Sequence, residues 1–191
     1  MSVRRRRSRL VDWALTLAFL AALTAIILRL DAIEAQQSIG RPVIIDGDSL
    51  VLAGVRIRLK GIDAPEIGQS CTGMDGAFGC GREARIRLRK FVGASQISCQ
   101  GWQYDKYQRL LAECVTGSKN LNREMAASGW AVAYGGYAAE EAAARRAKLG
   151  LWAGTFDRPQ DWRKMKGAAA EAEHDFWQGA WHGALRLAGI E

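Results

Sequence analysis

Val43-Ile44-Ile45-Asp46-Gly47-Asp48-Ser49-Leu50 runs within a few residues into Val55-Arg56-Ile57-Arg58-Leu59-Lys60-Gly61-Ile62-Asp63-Ala64-Pro65-Glu66. Val43 to Ile45 reads as a strand, Asp46-Gly47 is a turn signal, and Leu50 to Ala53 returns as a second strand. Gly54 breaks that strand. Beyond it Val55, Ile57 and Leu59 alternate with Arg56, Arg58 and Lys60. A period of two turns one face to a core and the other, here wholly basic, outward. Three strands this close in sequence predict an antiparallel meander.

Downstream, Gly61 to Gly81 is Gly-rich and reads mostly as loop. Arg82 to Val92 predicts a helix with Ala84, Leu88, Phe91 and Val92 on one stripe. Ile97 to Trp102 and Arg109 to Val115 predict two more strands, joined at Tyr104 to Gln108. Asn120 to Ser128 predicts a short helix ending at Gly129. Ala138 to Leu149 predicts a longer one, with Glu141 four residues before Arg145 and Gly150 as its stop. Five strands with about three helices define an α+β chain whose strands form a small five-stranded OB-like β-barrel. The tail from Thr155 onward could present Trp177, Trp181, Ala184 and Leu185 on one helix face.

The net charge of +7 suggests a polyanionic partner, but much of it is local. Arg4, Arg5, Arg6, Arg7 and Arg9 contribute five charges, and from Ser38 onward there are 21 Lys/Arg against 17 Asp/Glu. The remainder of the chain is therefore only mildly basic. After the Arg run, Trp13 to Leu28 is uncharged, and with its flanks at 11–30 the apolar stretch reaches about 30 Å as a helix, enough to cross a bilayer. The Arg cluster belongs on the cytoplasmic side, so everything after the span is exported. A cleaved signal peptide is the alternative, but a cut after Ala35 would put Ile33 and Glu34 where small residues are wanted. The expected organisation is a basic tail and transmembrane anchor (or signal peptide) over 1–35, a linker over 36–42, a domain over 43–156 and a C-terminal helical extension over 157–191, in a monomer.

Cys71, Cys80, Cys99 and Cys114 are an even set, and in an exported chain they suggest two disulfides with three possible connectivities. A hairpin centred between Lys106 and Tyr107 puts Cys99 opposite Cys114. Cys71 and Cys80 would then bridge the Gly-rich loop.

Asp46 and Asp48 in the first turn, and Asp63 and Glu66 after the third strand, can share one edge of a meander. Clustered carboxylates repel unless a cation or arginines neutralise them, and hard divalent ions want such oxygens. The two opening blocks, with Asp105-Lys106-Tyr107-Gln108-Arg109-Leu110-Leu111-Ala112, Trp130-Ala131-Val132-Ala133-Tyr134 and Leu149-Gly150-Leu151-Trp152, resemble the thermonuclease family of staphylococcal nuclease-like proteins from Arg41 to Trp152. Gln108 stands where that family usually has Gly, and Ala64 where it often has Thr. The resemblance implies a calcium (Ca2+) site made by the Asp48 and Asp63 carboxylates and the Ala64 carbonyl. It implies Glu66 acting on the attacking water and Arg58 and Arg109 gripping the phosphate. Lys106, Tyr107 and Tyr134 would contact the nucleotide. The activity so implied is calcium-dependent hydrolysis of DNA or RNA. A non-catalytic nucleic-acid- or protein-binding module on the same barrel, on the outer face of a membrane, is the alternative, because fold alone does not fix function.

Overall fold

A computed structural model describes residues 3–31 and 35–167, with side chains described at 11–25 and 35–167. It divides into two units, Met1–Gln36 and Gln37–Glu191. In the first, α1 (Val3–Asp31) is a 29-residue helix. Among the described residues no helix is long and apolar enough to cross a membrane. The crossing segment expected at 11–30 is not found among the described residues, and the side chains of 26–30 lie outside them.

The second unit is built on a curled sheet. Its strands are β1 (Gln36–Gly40), β2 (Val43–Ile44), β3 (Ser49–Leu52), β4 (Val55–Leu59), then β8 (Ile97–Tyr104), β9 (Leu110–Thr116) and β10 (Lys119–Asn120). Between them come β5 (Ile62–Asp63) and the hairpin β6 (Cys71–Gly73) and β7 (Gly76–Phe78). β11 (Val132–Ala133) follows later. The sheet order is β1-β8-β9-β4-β3-β2, with β10 on β9. The meander β2-β3-β4 is antiparallel as expected. β4 then pairs with β9 in parallel, Ile57 opposite Leu110 and Arg58 opposite Leu111. Alternation does what it must: Leu50, Ile57, Leu59 and Leu110 vanish into the core while Arg56 stays at the surface.

Helices α2 (Cys80–Val92), α3 (Leu121–Ala127) and α4 (Ala138–Arg146) cover the sheet and its margins. α2 buries Ala84, Leu88 and Val92, the stripe read from its sequence, while Phe91 is only partly buried. Buried Asn122 on α3 donates to the Lys60 and Ala112 carbonyls and accepts from the Cys114 N–H, which staples the parallel seam between β4 and β9. A fifth helix, α5, runs over 159–167. Trp177, Trp181, Ala184 and Leu185, expected on a tail helix, lie outside the described residues.

Both disulfides have the expected pairing, Cys71–Cys80 and Cys99–Cys114. Cys99 faces Cys114 in the β8–β9 register. Three expectations are corrected. The sheet has seven strands rather than five, and its path is open between β1 and β2. The linker expected at 36–42 is largely β1: its polar sequence has no alternation, but its backbone completes the edge of β8 and Ser38 is buried. The expected loop from Gly61 to Gly81 contains β5 and the β6–β7 hairpin.

Candidate active site

The turn between β2 and β3 carries the first acid. The Asp46 carboxylate accepts the Asp48 N–H at 2.9 Å and so closes the turn. Gly47 lets this turn press into the domain. A Cβ there would meet the Cβ atoms of Ala64 and Ala84 at 2.6 and 2.7 Å. The result is an Asp48 side chain that is almost fully buried, with Oδ2 accepting the Ala64 N–H at 3.0 Å and Oδ1 accepting the Ser49 hydroxyl at 2.9 Å.

The second acid sits on β5, which pairs with β11 so that Asp63 faces Val132. Tyr134, just past β11, is tied back by its N–H to the Gly61 carbonyl at 2.9 Å. Glu141 on α4 holds this strand in place by accepting the Ala133 N–H. Glu66 follows Asp63 on a loop pressed against the start of α2, where Gly81 is needed because a Cβ would collide with the Glu66 carbonyl.

Arg58 joins the acids. Its Nη2 lies 3.1 Å from Asp48 Oδ2 and donates to Asp63 Oδ1 at 2.5 Å. Its side chain was expected to point outward and free; at 12% exposure it is instead sunk between two aspartates. Burial alone would lower the Arg58 pKa, but Asp48 and Asp63 beside it more than offset this and hold it above its ordinary value. Asp48 is moved the other way. Burial, against the pull of Arg58, raises its carboxyl to about 7.

Arg109 approaches from β9's entry. Asp105, four residues earlier, accepts from Arg109 Nε at 2.8 Å and from its backbone N–H at 3.0 Å. Burial would raise the Asp105 pKa, but hydrogen bonds from Arg109 and the Tyr107 N–H hold it below the usual carboxylate range. Arg109 Nη1 donates to the Ser49 hydroxyl at 3.1 Å, and Ser49 donates to Asp48. A relay of hydrogen bonds thus links the second arginine to the first acid. Gln108 adopts positive φ at 60°, the conformation that glycine takes most easily at this turn.

Arg58, Glu66, Arg109, Lys106, Tyr107 and Tyr134 all line one open cavity of about 1000 Å³. Tyr107 is 57% exposed and Tyr134 47%, so neither is a core residue. Lys106 and Arg109 both lie over the Tyr107 ring. Eight Lys or Arg side chains line this cavity against only Asp63 and Glu66. Every expected site residue is therefore at or beside one cleft. The sequence reading missed Arg163 on α5, which donates to Asp63 and Glu66. No motif surrounds it. It also missed Ser49 and Gln69; Asp105 could have been found, standing four residues before an arginine across a turn.

Two carboxylates from separate segments direct oxygens at a single nitrogen, Arg58 Nη2, and so converge on one cationic position. That donor set suits a hard divalent ion in kind. Among the described residues no group of three or more His, Cys, Asp or Glu side chains forms a metal cage. Two carboxylates and a carbonyl fall short of six to eight oxygens, so water and a ligand's phosphate would have to complete the shell.

The family described as staphylococcal nuclease homologue matches residues 56–154. The succinoglycan biosynthesis protein ExoI of Rhizobium meliloti (strain 1021) is 35% identical over 140 residues, covering 69% of this chain and 73% of that protein. The staphylococcal-like nuclease CAN1 of Arabidopsis thaliana is 29% identical over 133 residues, 66% of this chain and 38% of its own length. LCL3 of Verticillium alfalfae, named a probable endonuclease, is 31% identical over 140 residues, 63% of this chain and 48% of its own. The chain thus spans less than half the length of the latter two. A match over half of the chain, on the segments that bring Arg58, Asp63 and Arg109 to one cleft, makes this protein a member of the staphylococcal nuclease homologue family.

Proposed function

We propose that the chain is a calcium-dependent nuclease that hydrolyses phosphodiester bonds of DNA or RNA, exported or anchored on the outer side of a membrane. One observation carries the reading: Asp48 and Asp63 converge on one cationic position beside Arg58, with Arg109 tied in through Ser49. Asp48, Asp63 and the Ala64 carbonyl would hold the ion. When bound, calcium supplies positive charge opposite the oxygens on which charge builds. Arg58 and Arg109 donate to the same oxygens, a task guanidinium suits because its donors form a rigid fork and it stays protonated. Glu66 orients the attacking water or takes its proton. Lys106, Tyr107 and Tyr134 form the wall on which a nucleotide rests. The two disulfides support an oxidising compartment. The Arg run before an apolar stretch supports export.

A relative named for succinoglycan biosynthesis rather than for nuclease activity favours a second reading, a binding-only module. One assay separates the two. The full chain is incubated with single-stranded DNA and RNA, with calcium or with a chelator, under oxidising conditions. Calcium-dependent cleavage is expected. Retention of nucleic acid without cleavage in either condition would assign the binding-only reading.

A further inference from the structure

We propose that Arg163 is a tethered competitor of the divalent cation, seated on the acids of the site until metal displaces it. The inference rests on the metal-site reading above.

Arg163 engages Asp63 with both limbs of its guanidinium. Nη1 donates to Oδ1 at 3.1 Å and Nη2 to Oδ2 at 2.9 Å. Nη1 also donates to Glu66 Oε1 at 2.8 Å. Both Asp63 oxygens and one of Glu66 are thereby engaged by one guanidinium, with Arg58 donating to Asp63 Oδ1 as well. An ion that binds Asp63 must take at least one of those oxygens, and a water that uses Glu66 needs its carboxylate released. Arg163 leaves Asp48 alone. The competition therefore falls on half of the metal site and on the group assigned to the water.

The seat is held by the fold rather than by chance contact. The Gln69 side chain is completely buried and donates to the Asp157 carbonyl at 2.7 Å, while its own oxygen accepts the Glu66 N–H at 3.3 Å. Thr72 and Thr155 exchange backbone hydrogen bonds at 2.9 Å each. The Glu66 loop and the start of α5 are thus fastened to each other, and Arg163 lies about one turn into the helix. Its side chain is 37% exposed, so the guanidinium leaves no buried position of its own, and buried Asp63 keeps Arg58 as a partner when it departs. The surrounding cleft, with Lys164 and Lys166 on the same helix, draws in phosphate to which a released guanidinium can donate.

Calcium binding to the full chain, in metal-stripped buffer and without nucleic acid, tests this by titration calorimetry with calcium chloride. Arg163→Ala is expected to bind calcium about three- to tenfold more tightly than the parent, a modest gain because the displaced ion pairs are partly solvated. Arg163→Lys should fall between the two. A merely structural role for Arg163 predicts weaker binding in both variants. Amide exchange supplies a readout in the parent itself. Calcium should speed exchange across 159–166, and in Arg163→Ala that segment should exchange fast without calcium. Equal or weaker affinity in Arg163→Ala overturns the competitor while leaving the metal site standing. So does unchanged exchange in the calcium-saturated parent, which decides the matter even if Arg163→Ala does not fold. Absence of calcium binding in every variant, together with absence of cleavage, overturns the metal-site reading and the competitor with it.

Discussion

Asp48 is a buried carboxyl raised from 3.8 to about 7, chiefly by burial. A raised acid binds its proton more tightly folded than unfolded. Its stabilising contribution is present below pH 4 and is lost as pH rises through 7. Calcium needs the ionised form, so affinity should climb over the same interval. Melting curves in chelator at pH 5 and pH 8 check the sign: Asp48→Asn should lose less stability than the parent between those values; in separate curves without chelator, added calcium should raise the midpoint of the parent and not of the variant. Arg58→Ala should lower kcat by about 100-fold or more, the usual loss when a donor to developing charge is removed; a variant that kept full rate would remove Arg58 from the chemistry. Gly47→Ala forces a methyl against Ala64 and Ala84 and should cost about 1–3 kcal/mol in urea unfolding. Asp48, Asp63 and Arg58 were legible because their motif blocks resemble those of the thermonuclease family; alternation and turn chemistry placed them only on a strand or in a turn, and turned Arg58 outward where it is in fact sunk between the two aspartates. Arg163 was not, since an arginine in a polar tail gains meaning only from where α5 docks.

Among the elements, the short ones were hardest to read. β1 has the composition of a linker, and β5 with β11 pairs only two residues on each side. Such strands owe their existence to partners far away in the chain, which local pattern does not contain. The β8–β9 hairpin was legible even to the register of its cysteines, because a short connection sets which residues face each other. Removing that cross-link with a Cys99→Ser, Cys114→Ser pair should cost about 3 kcal/mol by denaturant titration, for a sequence separation of 15. Gln69 is the test of the joint between the Glu66 loop and α5. Gln69→Ala leaves the Asp157 carbonyl and the Glu66 N–H without their partner, and should cost about 1–3 kcal/mol. Exchange at 159–166 should quicken while β8 and β9 keep their protection; uniform loss across the domain would mean that the joint is not local.

For the molecule as a whole, the cationic cleft sets the electrostatics that the modest overall charge conceals. Binding to single-stranded DNA in chelator should weaken steeply with salt, and a Lys106→Glu, Lys164→Glu, Lys166→Glu chain should show a shallower slope of log affinity against log salt. An unchanged slope would mean that nucleic acid lies elsewhere. The parallel pairing of β4 with β9 has a further effect, on timing. Arg58 lies on β4 and Arg109 just before β9, and these strands pair only after the whole stretch from β5 through α2 and β8 has been laid down. Such distant partners join late, since the entropy of closing the long loop is lost before any contact returns it. Catalytic competence should therefore emerge with the slowest step of refolding, well after helical circular dichroism has recovered. On the proposed nuclease reading, a partly synthesised chain halted before β9 would leave the messages and templates of the cell making it intact.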